Sequence, residues 1–217
     1  MFMASLSEAK NLGGIGAILA LLSGLLFWVP YNAGIGLLIV GLVLMLIAVR
    51  NIADKVGDHA IFSSMIYSVI LAIIGPIIAA AVAFAAAASF IGSFRGFTPG
   101  MTTLPSGFFA ALGFLILAFV ILYVCILIST VFLKKSYDAI ALKLRVDMFH
   151  TSGLLFLIGA ATLIVFVGVV ILFIAAILQI VAFFSIPEQV PSQMPPQQAW
   201  GPPTPPAPMP PSMTPMQ

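Results

Sequence analysis

Charge is scarce in this sequence. Only 6% of its 217 residues are Asp, Glu, Lys or Arg, against about 25% in an average soluble domain, which excludes a water-soluble globular fold. The few charges are also unevenly spread: none falls in Asn11–Val49, His59–Phe94, Gly96–Leu133 or Met148–Pro187. Cysteine is almost missing. Cys125 has no partner for an internal disulfide and lies in an apolar run, so it says nothing about redox compartment. The net charge of +2 is too small to imply a nucleic-acid partner. Also lacking are a phosphate loop, paired catalytic acids and a serine–histidine arrangement. The chain is therefore expected to be no enzyme, with no catalytic residue, cofactor or metal ligand.

What fills the sequence instead is apolar: 62% of residues are hydrophobic. About 20 helical residues cross a hydrocarbon core of about 30 Å, so the charge-free runs predict an all-α, polytopic transmembrane helical bundle. Ser5-Leu6-Ser7-Glu8 fits a capping box at a helix start. The first span should run from there to about Val29. Lys10 with the following apolar run resembles a signal peptide, but no small-residue cleavage site follows, so the span is expected to be retained. Pro30-Tyr31-Asn32 supplies turn chemistry. A second span over Gly34–Val49 and a short charged loop over Arg50–Asp58 come next. The third span, about Ile61–Ile91, contains Gly75-Pro76, which should kink it. Ser93–Ser106 reads as a loop.

A fourth span, about Gly107–Leu133, meets Lys134-Lys135. Beyond it Tyr137, Ile140, Ala141, Leu144 and Met148 recur at helical spacing among charged residues. That piece should lie in the interface or extend the fourth helix. Gly153–Ile186 as one helix would measure about 51 Å, well beyond a bilayer core. A hairpin turning near Val167-Gly168 fits better and gives six spans, with five as the alternative.

An internal repeat agrees with the hairpin. Gly34–Ile52 aligns on Gly168–Ile186 without a gap, pairing Gly34 with Gly168, Leu38 with Leu172, Ala48 with Ala182 and Ile52 with Ile186. Ile18–Gly24 likewise resembles Leu154–Ala160. With six spans and a cytoplasmic N-terminus, Lys10, Arg50, Lys55, Lys134, Lys135, Lys143 and Arg145 fall inside and only Arg95 outside, as the positive-inside rule favours. The expected location is the cell membrane, multi-pass.

Of the 16 prolines, all but Pro30, Pro76, Pro99 and Pro105 fall at or after Pro187. Residues 1–187 thus read as the membrane domain and 188–217 as a disordered proline-rich tail, since such a segment cannot bury a core. Pro203-Thr204-Pro205-Pro206 has the spacing read by proline-binding grooves. A soluble partner would therefore dock on the tail, although no basic residue flanks the motif.

Three stretches carry a resemblance: Ser7–Gly16, Ser136-Tyr137-Asp138 with Val146–Phe149, and Ile177–Pro187. Together they are similar to the domain of unknown function 996 family of prokaryotic, largely archaeal, membrane proteins. The resemblance spans about Ser5–Pro187. It implies an integral membrane protein of unassigned function and transfers no site residues.

Other side chains have a functional and a plainer reading. Asp58-His59 and Asp147 with His150 would suit a divalent metal if the segments met; more simply, the two aspartates mark helix starts. Gly16, Ala20 and Gly24, and Gly75, Ala79, Ala83 and Ala87, are spaced for close helix packing within the bundle or against a second subunit, hence a homo-oligomer. Gln179, Thr162, Ser129 and Thr130 should bond to a neighbouring helix or to their own turn. Cys125 has no activating base nearby. The expected role is structural or interaction-based, in contact with the lipid bilayer. The alternative is an uncoupled channel or carrier for a small solute, with Gly75-Pro76, Gln179 and the hydroxyl residues near its path.

Overall fold

The computed structural model describes residues 6–26, 33–94 and 106–188. Ser5 of the capping box, the 27–32 turn, most of the 93–106 loop and nearly all of the tail lie outside these. The described residues form helices α1 (Leu6–Leu26), α2 (Ala33–Val56), α3 (His59–Phe94), α4 (Ser106–Leu144), α5 (Asp147–Ala161) and α6 (Val167–Phe184), with a short 3₁₀ turn at Leu163–Val165. All but α5 are long and apolar enough to cross a membrane. At 15 residues, α5 reaches only about 22 Å.

Two boundaries differ from the sequence expectation. Arg50–Asp58 is not a loop: α2 continues to Val56, because Ile52 and Ala53 stay fully buried while the charged residues face outward. The last hairpin turns at Thr162–Phe166, not at Val167-Gly168. Thr162 Oγ1 donates to the Ile158 carbonyl at 2.8 Å, and Phe166 adopts a left-handed backbone, φ 61°. Gly168 serves close packing instead, since a Cβ there would collide with the Gly159 backbone. The interface piece after Leu133 is a straight continuation of α4, and α3 passes through Pro76 uninterrupted.

Each helix packs on its sequence neighbours, and α6 packs on α1, closing a ring of three antiparallel hairpins. The hairpins repeat one another in register. In α2 the buried positions from Gly34 to Ile52 are 34, 41, 45, 48, 49 and 52; in α6 they are 168, 175, 179, 182, 183 and 186, the same pattern under the alignment read from sequence. The α3–α4 hairpin is a third copy. Val49, Tyr137 and Phe183 are equivalent and fully buried, as are Ala48, Ser136 and Ala182. Even the turns match. Asp58 N donates to Ala53 O and Ile61 N to Asp58 O; Val146 N donates to Ala141 O and Phe149 N to Val146 O. Both are Schellman-type helix ends with a left-handed residue, Gly57 (φ 70°) in one and Arg145 (φ 54°) in the other.

The tightest packing lies at the end that holds the described charged residues. Tyr137, Phe149 and Phe183 stack edge to face, with centroids 5.5 and 5.1 Å apart. Phe183 and Phe184 lie over Gly13 and Gly14, where any Cβ would meet their rings. The segments that carry the family resemblance thus meet each other where the ring closes. Around them sit the exposed pairs Arg50–Asp54 and Lys143–Asp58, which contribute little to stability.

Beyond Gly75 and Cys125, among the described residues, α3 and α4 alone continue, as a two-helix extension. Its contact is a small-residue seam, Ala79 and Ala86 with Ala111 and Ala118 buried. The spacing is seven; Ala83 and Ala87 of the expected four-residue stripe flank the seam. Ile77, Phe84, Ile91, Phe109 and Phe119 point outward and are exposed.

Candidate functional site

The ring frames an open-mouthed cavity of about 510 Å³, within the range of small-molecule sites. Residues of all six helices line it. Equivalent positions of the three hairpins face its axis: Ala20, Ser68 and Phe156 from the first helix of each, and Met45, Leu133 and Gln179 from the second. Leu21, Leu25, Leu38, Val69, Leu172 and Phe173 form apolar walls. Below Tyr137 the buried core of Val49, Ile52, Ile140, Phe149, Phe183 and Ile186 closes the passage. The cavity is therefore blind at the charged end.

Polar but uncharged groups line it at three levels, Ser129 one turn before Leu133 and Gln179, and Tyr137 one turn beyond them. Ser68 and Ser129 lie Oγ to Oγ at 3.2 Å, and Ser129 Oγ donates to the Ser68 carbonyl at 2.9 Å. Each hydroxyl proton is thus used. Gln179 is 6% exposed, and its hydrogen bond among the described residues is the weak one from Nε2 to Met45 Sδ at 3.4 Å. The Tyr137 hydroxyl is fully buried with no partner among them. A buried polar group left unsatisfied costs about 1–3 kcal/mol, so the Tyr137 hydroxyl is held there at the expense of stability.

The other singled-out residues are placed elsewhere. Thr130 Oγ1 donates to its own turn, at Leu127 O (2.9 Å). Tyr123 donates to Ala161 O at 2.8 Å, tying α4 to the end of α5. Gly75 packs on Cys125, and Pro76 lines an outer groove between α3 and α4; neither borders the central cavity. Asp58 Oδ1 accepts the Ala60 N–H at 3.1 Å and so caps α3. The histidines go to different carboxylates: His59 Nδ1 is 3.9 Å from Asp54, whereas His150 Nδ1 is 2.8 Å from Asp138, which Lys134 also contacts. No group of three or more His, Cys, Asp or Glu among the described residues is placed to hold a metal.

Sequence reading had singled out Gln179 and Ser129, but not Ser68, Met45 or Leu133. Tyr137 falls in the piece expected to lie in the interface or to extend the fourth helix, and it does the latter. Its signal was present only as the third copy of a repeat recognised in two.

Residues 37–177 match the family described as protein of unknown function DUF996. The chain belongs to that family. Within the DUF996 family's matched stretch lie most of α2, all of α3 to α5 and more than half of α6. The chain is also 37% identical over 193 residues to a Methanocaldococcus jannaschii protein named Uncharacterized protein MJ1644, covering 89% of this chain and 99% of that one. No solved structure matches.

Proposed function

We propose that this DUF996 member is a non-catalytic, multi-pass protein of the cell membrane that binds a small uncharged molecule in its ring, without ion coupling. The observation that supports this is the blind central cavity, walled by apolar side chains from all six helices and carrying uncharged polar groups. Ionisable groups in membrane proteins mark coupled ion pathways; the described ones gather at the end beyond the floor. A closed floor favours a binding protein or carrier over an open channel. In this reading the six helices span as three hairpins with the N-terminus cytoplasmic, and the tail following residue 188 leaves on the same side, available to a soluble partner. The test is uptake of a panel of neutral small molecules by proteoliposomes, measured as both retained ligand and flux. Saturable retention above that of empty vesicles is expected; none for any compound overturns the reading.

A second reading, a structural or interaction role in a homo-oligomer, is favoured by the α3–α4 extension with its outward Ile77, Phe84 and Phe109. A Phe84→Cys substitution in a Cys125→Ala chain should then crosslink to a second copy in native membranes. Failure to crosslink there, and likewise from Phe109→Cys, removes this reading.

A further inference from the structure

We infer that the cavity takes a neutral amphiphile, an alkyl or prenyl chain ending in one uncharged hydroxyl or carbonyl, seated head-down on Gln179. This rests on the central cavity being a binding site and adds the class of its occupant.

The chemistry of the lining sets that class. The walls are apolar apart from Ser68 and Ser129, whose hydroxyl protons are already used, so the part of the ligand that they surround is hydrocarbon. At the floor, two groups contributed by different hairpins lack partners among the described residues. The Tyr137 hydroxyl, 0% exposed, has a proton to donate. The Gln179 amide, 6% exposed, has its carbonyl oxygen and one of two amide protons unassigned. Gln179, donor and acceptor at once, completes a hydroxyl or donates to a carbonyl, whereas the Tyr137 hydroxyl, one turn further along the repeat, has no surface open to the cavity. A carboxylate or ammonium head is disfavoured, because no residue of opposite charge lines the cavity and a buried unpaired charge costs far more than a neutral group. The charged cluster of Lys134, Asp138 and His150 lies at the α4–α5 contact and satisfies itself. A chain rather than a compact solute follows from the cavity's extent along the helices, from Leu25 and Leu38 at one end to Tyr137 at the other, three to four turns away.

The full-length chain in nanodiscs, exposed to a photoactivatable hexadecanol carrying a diazirine on its chain, tests this. Crosslinks should map to the cavity walls and be displaced by hexadecanol, but not by hexadecane or palmitate. Gln179→Leu should weaken displacement about tenfold. Gly24→Trp serves as the block, because a side chain at Gly24 meets nothing within 4 Å and can fill the cavity while the fold is kept. It should abolish labelling with an unchanged thermal midpoint. Equal displacement by hexadecane and hexadecanol, with Gln179→Leu silent, overturns the amphiphile while leaving a cavity-binding protein. Labelling confined to outward faces and unaffected by Gly24→Trp overturns the amphiphile; if the neutral-solute panel is also not retained, the cavity reading falls with it.

Discussion

At single residues, the absence of a Cβ matters most where two backbones or a backbone and a ring approach. Gly75 is one such place: a Cβ there would lie 2.5 Å from the Cβ of Cys125. Gly75→Ala is therefore expected to lower the thermal midpoint, by a cost of about 1–3 kcal/mol. Cys125→Gly in the same chain should recover most of that loss, although it destabilises the parent. A double-mutant cycle of unfolding in detergent reads this coupling. The lone cysteine is thus a packing partner. Gly16 is stricter, since its Cβ would meet the backbone of Gly41 and Met45 at 2.7 and 2.9 Å. Backbone cannot rotate away, so Gly16→Ala should cost at least as much as Gly75→Ala and find no single-residue rescue.

For helices and turns, the two equivalent inter-hairpin turns invite a direct comparison. Both need a left-handed residue, and one has glycine while the other has Arg145. A left-handed non-glycine residue costs about 1–2 kcal/mol. Arg145→Gly should therefore raise the thermal midpoint and Gly57→Ala lower it, a sign reversal that differential scanning fluorimetry can read. The helices themselves were legible in the sequence because their charge-free runs leave few other options. The repeat was legible only between the α1–α2 and α5–α6 hairpins, most clearly in α2 and α6, where Leu, Ala and Ile recur at matching positions. In α3–α4 the copy keeps burial but not identity: Ser136 stands where α2 and α6 have alanine, and Tyr137 where they have Val49 and Phe183. The α2 boundary was missed because Arg50, Asp54 and Lys55 read as a loop, while the buried Ile52 and Ala53 between them hold the helix. The cavity floor was illegible for a related reason. Tyr137 and Gln179 are far apart in sequence, and each alone is an ordinary helix residue.

For the molecule as a whole, the described charged residues share one end of the bundle, as the up-and-down ring requires. Cysteines placed singly at Lys10, Lys55 and Lys135 in a Cys125→Ala chain should all react with an impermeant maleimide from the cytoplasmic face alone. Reaction of any of them from outside would refute the N-terminus-inside topology of six spans.

Because Gly13 lies against Phe183, the two extremities of the ring are already neighbours. Where the chain starts is then a matter of order in synthesis, not of architecture. A circular permutant opened between Gly57 and Asp58, with a short linker joining residue 188 to Leu6, should assemble the same bundle. Its circular dichroism and melting profile would match those of the parent.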